Sequence, residues 1–444
     1  MTSKNEKVDF SDTLFLPKTN FAMRAGLPEY EPKILSEWSK KNIYKVLREE
    51  SKQLKKFTLH DGPPYANGHL HMGHALNKIL KDFVVRSQQM LGQDSSYIPG
   101  WDCHGLPIEW KIEEQYREKG KDKDDVDIIQ FRKECREFAS KWIDKQREEF
   151  IRLGIIGDWE NPYTTMSFDA ESIIVKEFFK FVENGSLYRG SKPVMWSTVE
   201  KTALAEAEIE YKEHKSTTIF VKFPVLESSD TDLKGSSVVI WTTTPWTIPG
   251  NRAIAYSKNI RYSLFEINET EENSHLKIED RIIIAQDLEE SFKEQCRVKS
   301  ITKIKNIENL EGFVCSHPFA KSGYDFEIKL YDADFVTLEQ GTGFVHIAPG
   351  HGADDYILGI TNNIEVPETV DQDGFYFDHV PLFKGKKIFN DDGSDADANI
   401  AVIIELKNHN NLAGKGSLRH SYPHSWRSKA PVIFRNTPQW FISM

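Results

Sequence analysis

Cysteine is scarce in this chain. Four occur among 444 residues, at Cys103, Cys135, Cys296 and Cys315, and none belongs to a C-x-x-C pair. A disulfide-stapled miniprotein is excluded, and free thiols in a reducing compartment are expected. Long apolar runs are missing too: no stretch of about 18 apolar residues exists, so nothing reads as a membrane span. The first residues, Met1 to Asp9, lack the apolar core of a leader and carry acids early, so a cytoplasmic protein is expected. Basic residues are outnumbered, 57 to 68, for a net charge of −11. That rules out a uniformly basic coat for nucleic acid and leaves a local basic groove open. Internal repeats are absent. What is present is 39% hydrophobic, 12% aromatic and 28% charged residues, enough for large cores and unlike a disordered or collagen-like chain. At roughly 150 residues per domain, about three domains are expected.

Residues 30–55 are polar and helix-prone. Lys55 to Asp61 reads as a short strand running into Gly62-Pro63-Pro64. Leu76, Ile79, Leu80, Phe83 and Val84 recur at helical spacing between about His71 and Leu91, with Gly92 as the stop. Ser95 to Trp101 reads as a second strand. Phe131, Cys135, Phe138, Trp142, Phe150 and Leu153 then step by threes and fours along a long amphipathic helix, with one missed turn at Gln146. Another helix is expected from Asp169 to Gly185. Such strand–turn–helix units predict an α/β fold with a parallel sheet. Near residue 206 the texture changes to alternating β-branched segments, Thr217–Val225, Ser237–Thr244, Arg281–Ala285 and Phe335–Ile347, which predicts a mostly β domain inserted in the α/β one. Asp391-Asp392-Gly393-Ser394-Asp395 lacks the twelve-residue calcium-loop pattern and reads as a solvated loop. A short helix around Ile400–Leu406 precedes a Trp-, Pro- and Arg-rich stretch from Ser417 to Met444.

The central motif is Pro64-Tyr65-Ala66-Asn67-Gly68-His69-Leu70-His71-Met72-Gly73-His74, between a strand and a helix. A phosphate belongs at such a junction, where free N–H groups and the helix dipole favour negative charge. Gly68 and Gly73 remove Cβ atoms where a nucleotide approaches the backbone, and His71 and His74 lie one turn apart. Two other readings stand beside this one, a zinc-binding H-x-x-H pair and two ordinary surface histidines. The zinc form of a metalloprotease requires Glu after the first His and a longer spacing. Asp102, in Pro99-Gly100-Trp101-Asp102-Cys103-His104-Gly105-Leu106-Pro107-Ile108-Glu109, reads by itself as a helix cap, a salt-bridge partner or a ligand carboxylate.

Taken together, these motifs resemble the class I aminoacyl-tRNA synthetases, whose His-Ile-Gly-His signature corresponds to His71-Met72-Gly73-His74, and more narrowly the isoleucine-specific branch. The resemblance runs from about Leu16 to Met444. It implies an incomplete Rossmann-like catalytic domain with an inserted editing domain, divided as residues 1–205, 206–405 and a return segment 406–444. It implies ATP with Mg²⁺ on its phosphates, L-isoleucine and tRNA(Ile) as partners, and a monomer. In catalysis it assigns His71, Gly73 and His74 to the ATP phosphates, Asp102 to the isoleucine ammonium, and Pro63 and Trp101 to the amino-acid pocket. A zwitterion in an apolar pocket needs such a carboxylate.

Val238 to Thr247 puts Thr242, Thr243 and Thr244 in a row after a strand, which alone is ordinary β-propensity. With Gly341 to Tyr356 it resembles the editing insertion of the isoleucine, valine and leucine enzymes. Carried over by position, Thr242, Thr244, Asn251 and His346 line a hydrolytic pocket beside Thr243, with hydroxyls and His346 orienting water, and Asp355 binds the ammonium of the wrong amino acid. One methylene separates valine from isoleucine by only about 1–3 kcal/mol, a figure known for this very enzyme class rather than derived from this chain.

Two departures stand out. Ser197 and Glu200, and the serines of His424-Ser425-Trp426-Arg427-Ser428, occupy the positions of cysteine pairs that hold a structural zinc in many relatives. Serine is a poor zinc ligand, so no zinc is expected. No Lys-Met-Ser-Lys-Ser-type loop occurs before Met444, so the isolated chain is expected to give negligible isoleucine-dependent ATP–pyrophosphate exchange. Free-standing deacylation of Val-tRNA and non-catalytic tRNA binding are the alternatives.

Overall fold

The computed structural model describes residues 9–15, 19–228 and 230–443. The leader reading over residues 1–8, Leu16 where the resemblance begins, and Met444 lie outside the described residues. The chain divides into two compact units, residues 1–180 and 181–444.

The first unit opens with α1 (Leu27–Lys41) and α2 (Ile43–Ser51), separated by Asn42 in the left-handed conformation. Then come β1 (Lys56–Thr58), α3 (Met72–Met90), β2 (Asp94–Ser96), β3 (Gly100–Trp101), α4 (Leu106–Glu118), α5 (Ile128–Arg152) and β4 (Tyr163–Thr164). Among the described residues of this unit, the parallel pairing is short: β1 with β2, β3 with β4, and the single bridge between Tyr65 and Asp102. The continuous strand expected over Ser95–Trp101 is thus two strands, because the chain changes partners around Pro99, whose carbonyl accepts from Tyr163 N–H at 2.8 Å. The core of this unit gathers Ala66, Tyr97, Trp101, Ile108, Ile143 and Phe150 around α5. Helix α3 buries Lys78, Asp82 and Val85. Its apolar row Leu76, Leu80, Phe83 is exposed, contrary to the face that the periodicity implies. Lys78 reaches inward because Asp61, just past β1, pairs with both Lys78 and Lys81. Asp82 pairs with Arg86 and accepts from Ile156 N–H at 3.1 Å.

Helix α6 (Phe168–Glu183) leads to the second unit. This unit contains β5 (Leu187–Ser197), β6 (Thr202–Ala203), β7 (Ile209–Glu227), β8 (Ser237–Thr242), β9 (Ala253–Tyr256), β10 (Tyr262–Thr270), β11 (Arg281–Ala285), α7 (Glu289–Cys296), β12 (Val298–Ile307), β13 (Val314–Ser316), β14 (Glu327–Asp332), β15 (Val345–Ile347), α8 (Ala353–Thr361), α9 (Ala398–Asn408), β16 (Leu412–Ser425) and β17 (Ile433–Ile442). Ten strands form one sheet in the order β12-β10-β11-β8-β15-β9-β14-β13-β7-β16, and β7 also pairs with β8. The long β7 thereby closes β8, β15, β9, β14, β13 and itself into a ring, which removes the free edges of those strands. Strand β15 is shorter than the Phe335–Ile347 expectation because Gly341 and Gly343 take φ of +84° and +80°. A Cβ on Gly343 would lie 2.5 Å from that of Ala285. Strand β17 runs antiparallel to β5, from Ile433 beside Trp196 to Ile442 beside Leu187. The Asp391–Asp395 loop is closed on itself, with Asp392 accepting from Ser394 N–H and O–H. All four cysteines are buried and unpaired. Among the described residues no helix is long and apolar enough to cross a membrane.

Candidate functional site

In the first unit, His71 is the N-cap of α3. Its Nδ1 accepts from Gly73 N–H at 3.0 Å, while His74 Nδ1 accepts from His71 N–H at 3.4 Å. The two rings stack with centroids 3.8 Å apart. With each Nδ1 acting as acceptor, the hydrogen bonds assign the proton of each neutral ring to Nε2, leaving two N–H donors at a helix N-terminus. Burial, then the neighbouring His71 and Lys78, holds the His74 pKa below its ordinary value. Gly73 is required for this cap: a Cβ there would lie 2.9 Å from His71 Cε1. A Cβ added at Gly68 would meet no protein atom within 4 Å, so no steric contact within the protein demands a glycine there.

The preceding turn is held from two sides. Ala66 N–H donates to Asp102 O at 3.0 Å, and Asp102 N–H donates to Pro64 O at 2.8 Å. From α5, Gln146 Nε2 donates to Tyr65 O at 3.1 Å and Gly68 O at 2.7 Å, while its Oε1 accepts from Trp101 Nε1 at 2.9 Å. Glu149 accepts from Leu70 N–H at 2.9 Å and pairs with His69. Burial pushes the Glu149 pKa upward, but these hydrogen bonds outweigh it and hold the carboxyl below its usual range. Asn67 Nδ2 donates to Pro107 O at 3.3 Å. Ala66 and Trp101 are fully buried, Pro63, Pro64, Gly68 and Leu70 are half-buried, and Tyr65, His69 and Met72 are exposed.

Asp102 is half-buried and accepts from Thr165 Oγ1 at 3.3 Å. It caps no helix, since Gly105 stands at the N-cap of α4. Among the described residues no cation pairs with it. The helix-cap and salt-bridge readings therefore fall away, and a carboxylate remains beside the buried Trp101 and the nucleotide-type turn. Gln146, Glu149 and Thr165 escaped the sequence reading. Only Gln146 left a signal there, as the polar gap in an apolar seam.

In the second unit a chain of hydrogen bonds joins the threonine run to β15. Thr242 Oγ1 lies 3.2 Å from Thr244 Oγ1, Thr244 Oγ1 lies 3.3 Å from Thr247 Oγ1, and Thr247 Oγ1 lies 2.8 Å from His346 Nε2. Asn251 Nδ2 donates to His346 Nδ1 at 2.8 Å. The pairing of Val345 with Trp241 brings these strands together. Both His346 nitrogens are thus occupied, and burial lowers its pKa to about 3. His346 is a neutral hub that fixes Thr247, a residue the sequence reading left out of the site. Thr243 and Thr244 line a small cavity with His214, Thr217, Trp246 and Asn399. Asp355, on α8, accepts from Ala348 N–H at 2.8 Å, two residues beyond His346. Burial raises its pKa to about 6, and no cation pairs with it among the described residues.

Ser197, Glu200, Ser425 and Ser428 converge. Glu200 Oε1 accepts from Ser425 Oγ at 2.6 Å and Ser428 N–H at 2.9 Å, and Ser197 Oγ accepts from Glu200 N–H at 3.2 Å. Ser197, Glu200 and Ser425 are buried. These oxygen donors do not fit zinc, whose structural sites are built from thiolate and imidazole. A carboxylate joins the two turns instead. Glu200→Ala is expected to cost about 2–4 kcal/mol in urea unfolding, for two hydrogen bonds to a charged group, and a chelator is expected to leave the melting temperature unchanged.

The chain is similar to known proteins. The family model described as tRNA synthetases class I (I, L, M and V) matches residues 33–444. An isoleucine–tRNA ligase of Bradyrhizobium diazoefficiens is 54% identical over 461 residues, covering 100% of this chain and 46% of that one. Those of Rhodopseudomonas palustris and Pelagibacter ubique are each 54% identical, covering 98% of this chain and 45% and 47% of theirs. The chain spans about half the length of the curated relatives it matches. The crystal structure of a ternary LeuRS-tRNA-LeuAMS complex from Agrobacterium radiobacter K84 matches at 17% identity with a TM-score of 0.36, over 93% of this chain and 49% of that one.

Proposed function

The chain belongs to the class I tRNA synthetases (I, L, M and V), and from that premise we propose that it carries the isoleucine-activating and editing sites of an isoleucine–tRNA ligase. ATP, which would carry Mg²⁺ on its phosphates, lies against the Pro64–His74 turn, and L-isoleucine lies between Pro63, Trp101 and Asp102. The amino-acid carboxylate attacks the α-phosphorus, pyrophosphate leaves, and the acyl group passes to the 3′ end of tRNA(Ile). No protein nucleophile is needed. The catalytic contribution is positioning, with the Nε2–H groups of His71 and His74 stabilising charge that builds on the phosphates.

The observation that carries this reading is the backbone pairing of Pro64–Ala66 with Asp102, with Ala66 N–H to Asp102 O at 3.0 Å. It makes the phosphate turn and the ammonium-binding carboxylate immediate neighbours, as a reaction between an amino-acid carboxylate and a phosphate requires. The second site, in residues 206–405, hydrolyses valyl esters: Thr242, Thr243, Thr244 and Asn251 shape the pocket, His346 fixes Thr247, and Asp355 takes the ammonium. Residues 1–205 and 406–444 flank it. Buried free thiols accord with a cytoplasmic protein, read here as a monomer.

A non-reactive isoleucyl-adenylate mimic tests the reading. It is expected to protect residues 62–74 and 101–103 from hydrogen exchange, and protection elsewhere alone would overturn it. A second reading, a deacylase acting without the synthetic reaction, is favoured by one observation: the Thr242–Thr244–Thr247–His346–Asn251 network lies wholly within residues 181–444. Valyl-ester hydrolysis by a chain that ignores the mimic would select it.

A further inference from the structure

We propose that Gln146 is a positioning residue that couples the amino-acid pocket to the nucleotide turn. The inference rests on the functional reading above and adds to it a residue that touches neither substrate.

Gln146 sits inside α5 with no exposed surface. Burying an amide in an apolar seam is unfavourable unless its polar atoms are bonded. Here one amide serves three partners. Its oxygen takes the Trp101 indole N–H, and its nitrogen donates to the carbonyls of Tyr65 and Gly68. The three partners are not arbitrary. Trp101 is a wall of the amino-acid pocket and runs directly into Asp102. Tyr65 and Gly68 bracket the turn that leads to His71.

No other side chain can make the same set. Glutamate accepts but does not donate when ionised, lysine donates but does not accept, and methionine of similar length does neither. One helical turn on, Glu149 holds Leu70 N–H, so α5 grips the same turn at a second point. A displacement of the Trp101 indole by a bound amino acid is therefore passed to the Tyr65 and Gly68 carbonyls through a single planar group. By linkage the nucleotide acts back on the pocket to the same degree.

The test uses the full chain and two probes, the non-reactive isoleucyl-adenylate mimic, which spans both sites, and isoleucinol, which fills only the amino-acid pocket. Both are titrated calorimetrically against wild type, Gln146→Glu and Gln146→Met. Gln146→Glu keeps the acceptor for Trp101 and, titrated at a pH high enough to ionise the new carboxyl, loses the donors to the turn. It is expected to weaken the mimic ~10–100-fold while changing isoleucinol by less than about 3-fold, as the loss of two hydrogen bonds on the nucleotide side predicts. Gln146→Met is expected to weaken both. Equal losses of mimic and isoleucinol in Gln146→Glu would mark a merely structural role and overturn the proposal. So would a wild type that binds the mimic no better than Gln146→Glu does. A wild type that binds no mimic overturns the functional reading and this inference with it. Should Gln146→Met fail to fold, Gln146→Glu decides alone.

Discussion

Asp102→Ala is expected to weaken isoleucinol binding by about two orders of magnitude or more, the cost of leaving an ammonium unpaired in a largely apolar pocket. The carboxylate is well placed for that role. It is half-buried, has no cation paired with it among the described residues, and is oriented by the Thr165 hydroxyl at 3.3 Å. Thr165 Oγ1 also accepts from Cys103 N–H at 2.9 Å, so the residue that orients the carboxylate is itself fixed to the segment just past β3. Asp102→Asn keeps the shape and the bond from Thr165 but loses the charge, and its affinity is expected to fall nearly as far. Thr165→Val leaves the charge and frees the rotamer, and a loss of about 10-fold or less is expected, the scale of one hydrogen bond. Calorimetric titration of the three variants orders these outcomes. An Asp102→Ala variant that binds as wild type does would remove the carboxylate from the pocket.

The sequence made the strand–turn–helix junction legible because its signals are local: glycines, a strand before them, a helix after them. Helix α3 was recognisable by spacing, yet its buried side was not. Periodicity reports that one face is apolar, but which face is buried depends on partners far along the chain. Asp61 draws Lys78 inward, and Arg86 pairs with Asp82, while Leu76 and Phe83 remain exposed. The hydrogen bonds of Gln146 span about eighty residues of chain, to Tyr65 and Gly68, and no local pattern encodes a pairing at that distance. The threonine run and His346 were placed together through the resemblance, but the link between them through Thr247 was not legible. That contact exists because β8 and β15 are neighbours in a sheet whose strand order departs from the chain order. Strands β10 and β12 went unread for a related reason. Their polar outer positions break the alternation that a half-buried strand is expected to keep.

Asp355→Asn is expected to separate function from stability in opposite directions. The carboxyl is held near pKa 6 by burial, so at about pH 7.5 it is ionised with no cation beside it among the described residues, in a place that favours the neutral form. In the proposed editing reaction a substrate ammonium supplies the missing charge. Hydrolysis of a 3′-O-valyl adenosine ester is therefore expected to drop by about two orders of magnitude in the variant. In wild type that hydrolysis is expected to fall as pH drops through about 6, as the carboxylate is protonated. Stability runs the other way. A carboxyl whose folded pKa is raised contributes stability that is fully present below its unfolded pKa, near 3.9, and is lost as pH rises through the folded value, near 6. Asparagine does not ionise and escapes that loss. Asp355→Asn is accordingly expected to be more stable than wild type at about pH 7.5, by on the order of 2 kcal/mol, with the gain shrinking through about pH 5 and vanishing below about pH 4. Urea unfolding across that range measures it. A gain that is constant with pH would show that packing rather than ionisation separates the two proteins. Unchanged hydrolysis would show that the ammonium is bound elsewhere.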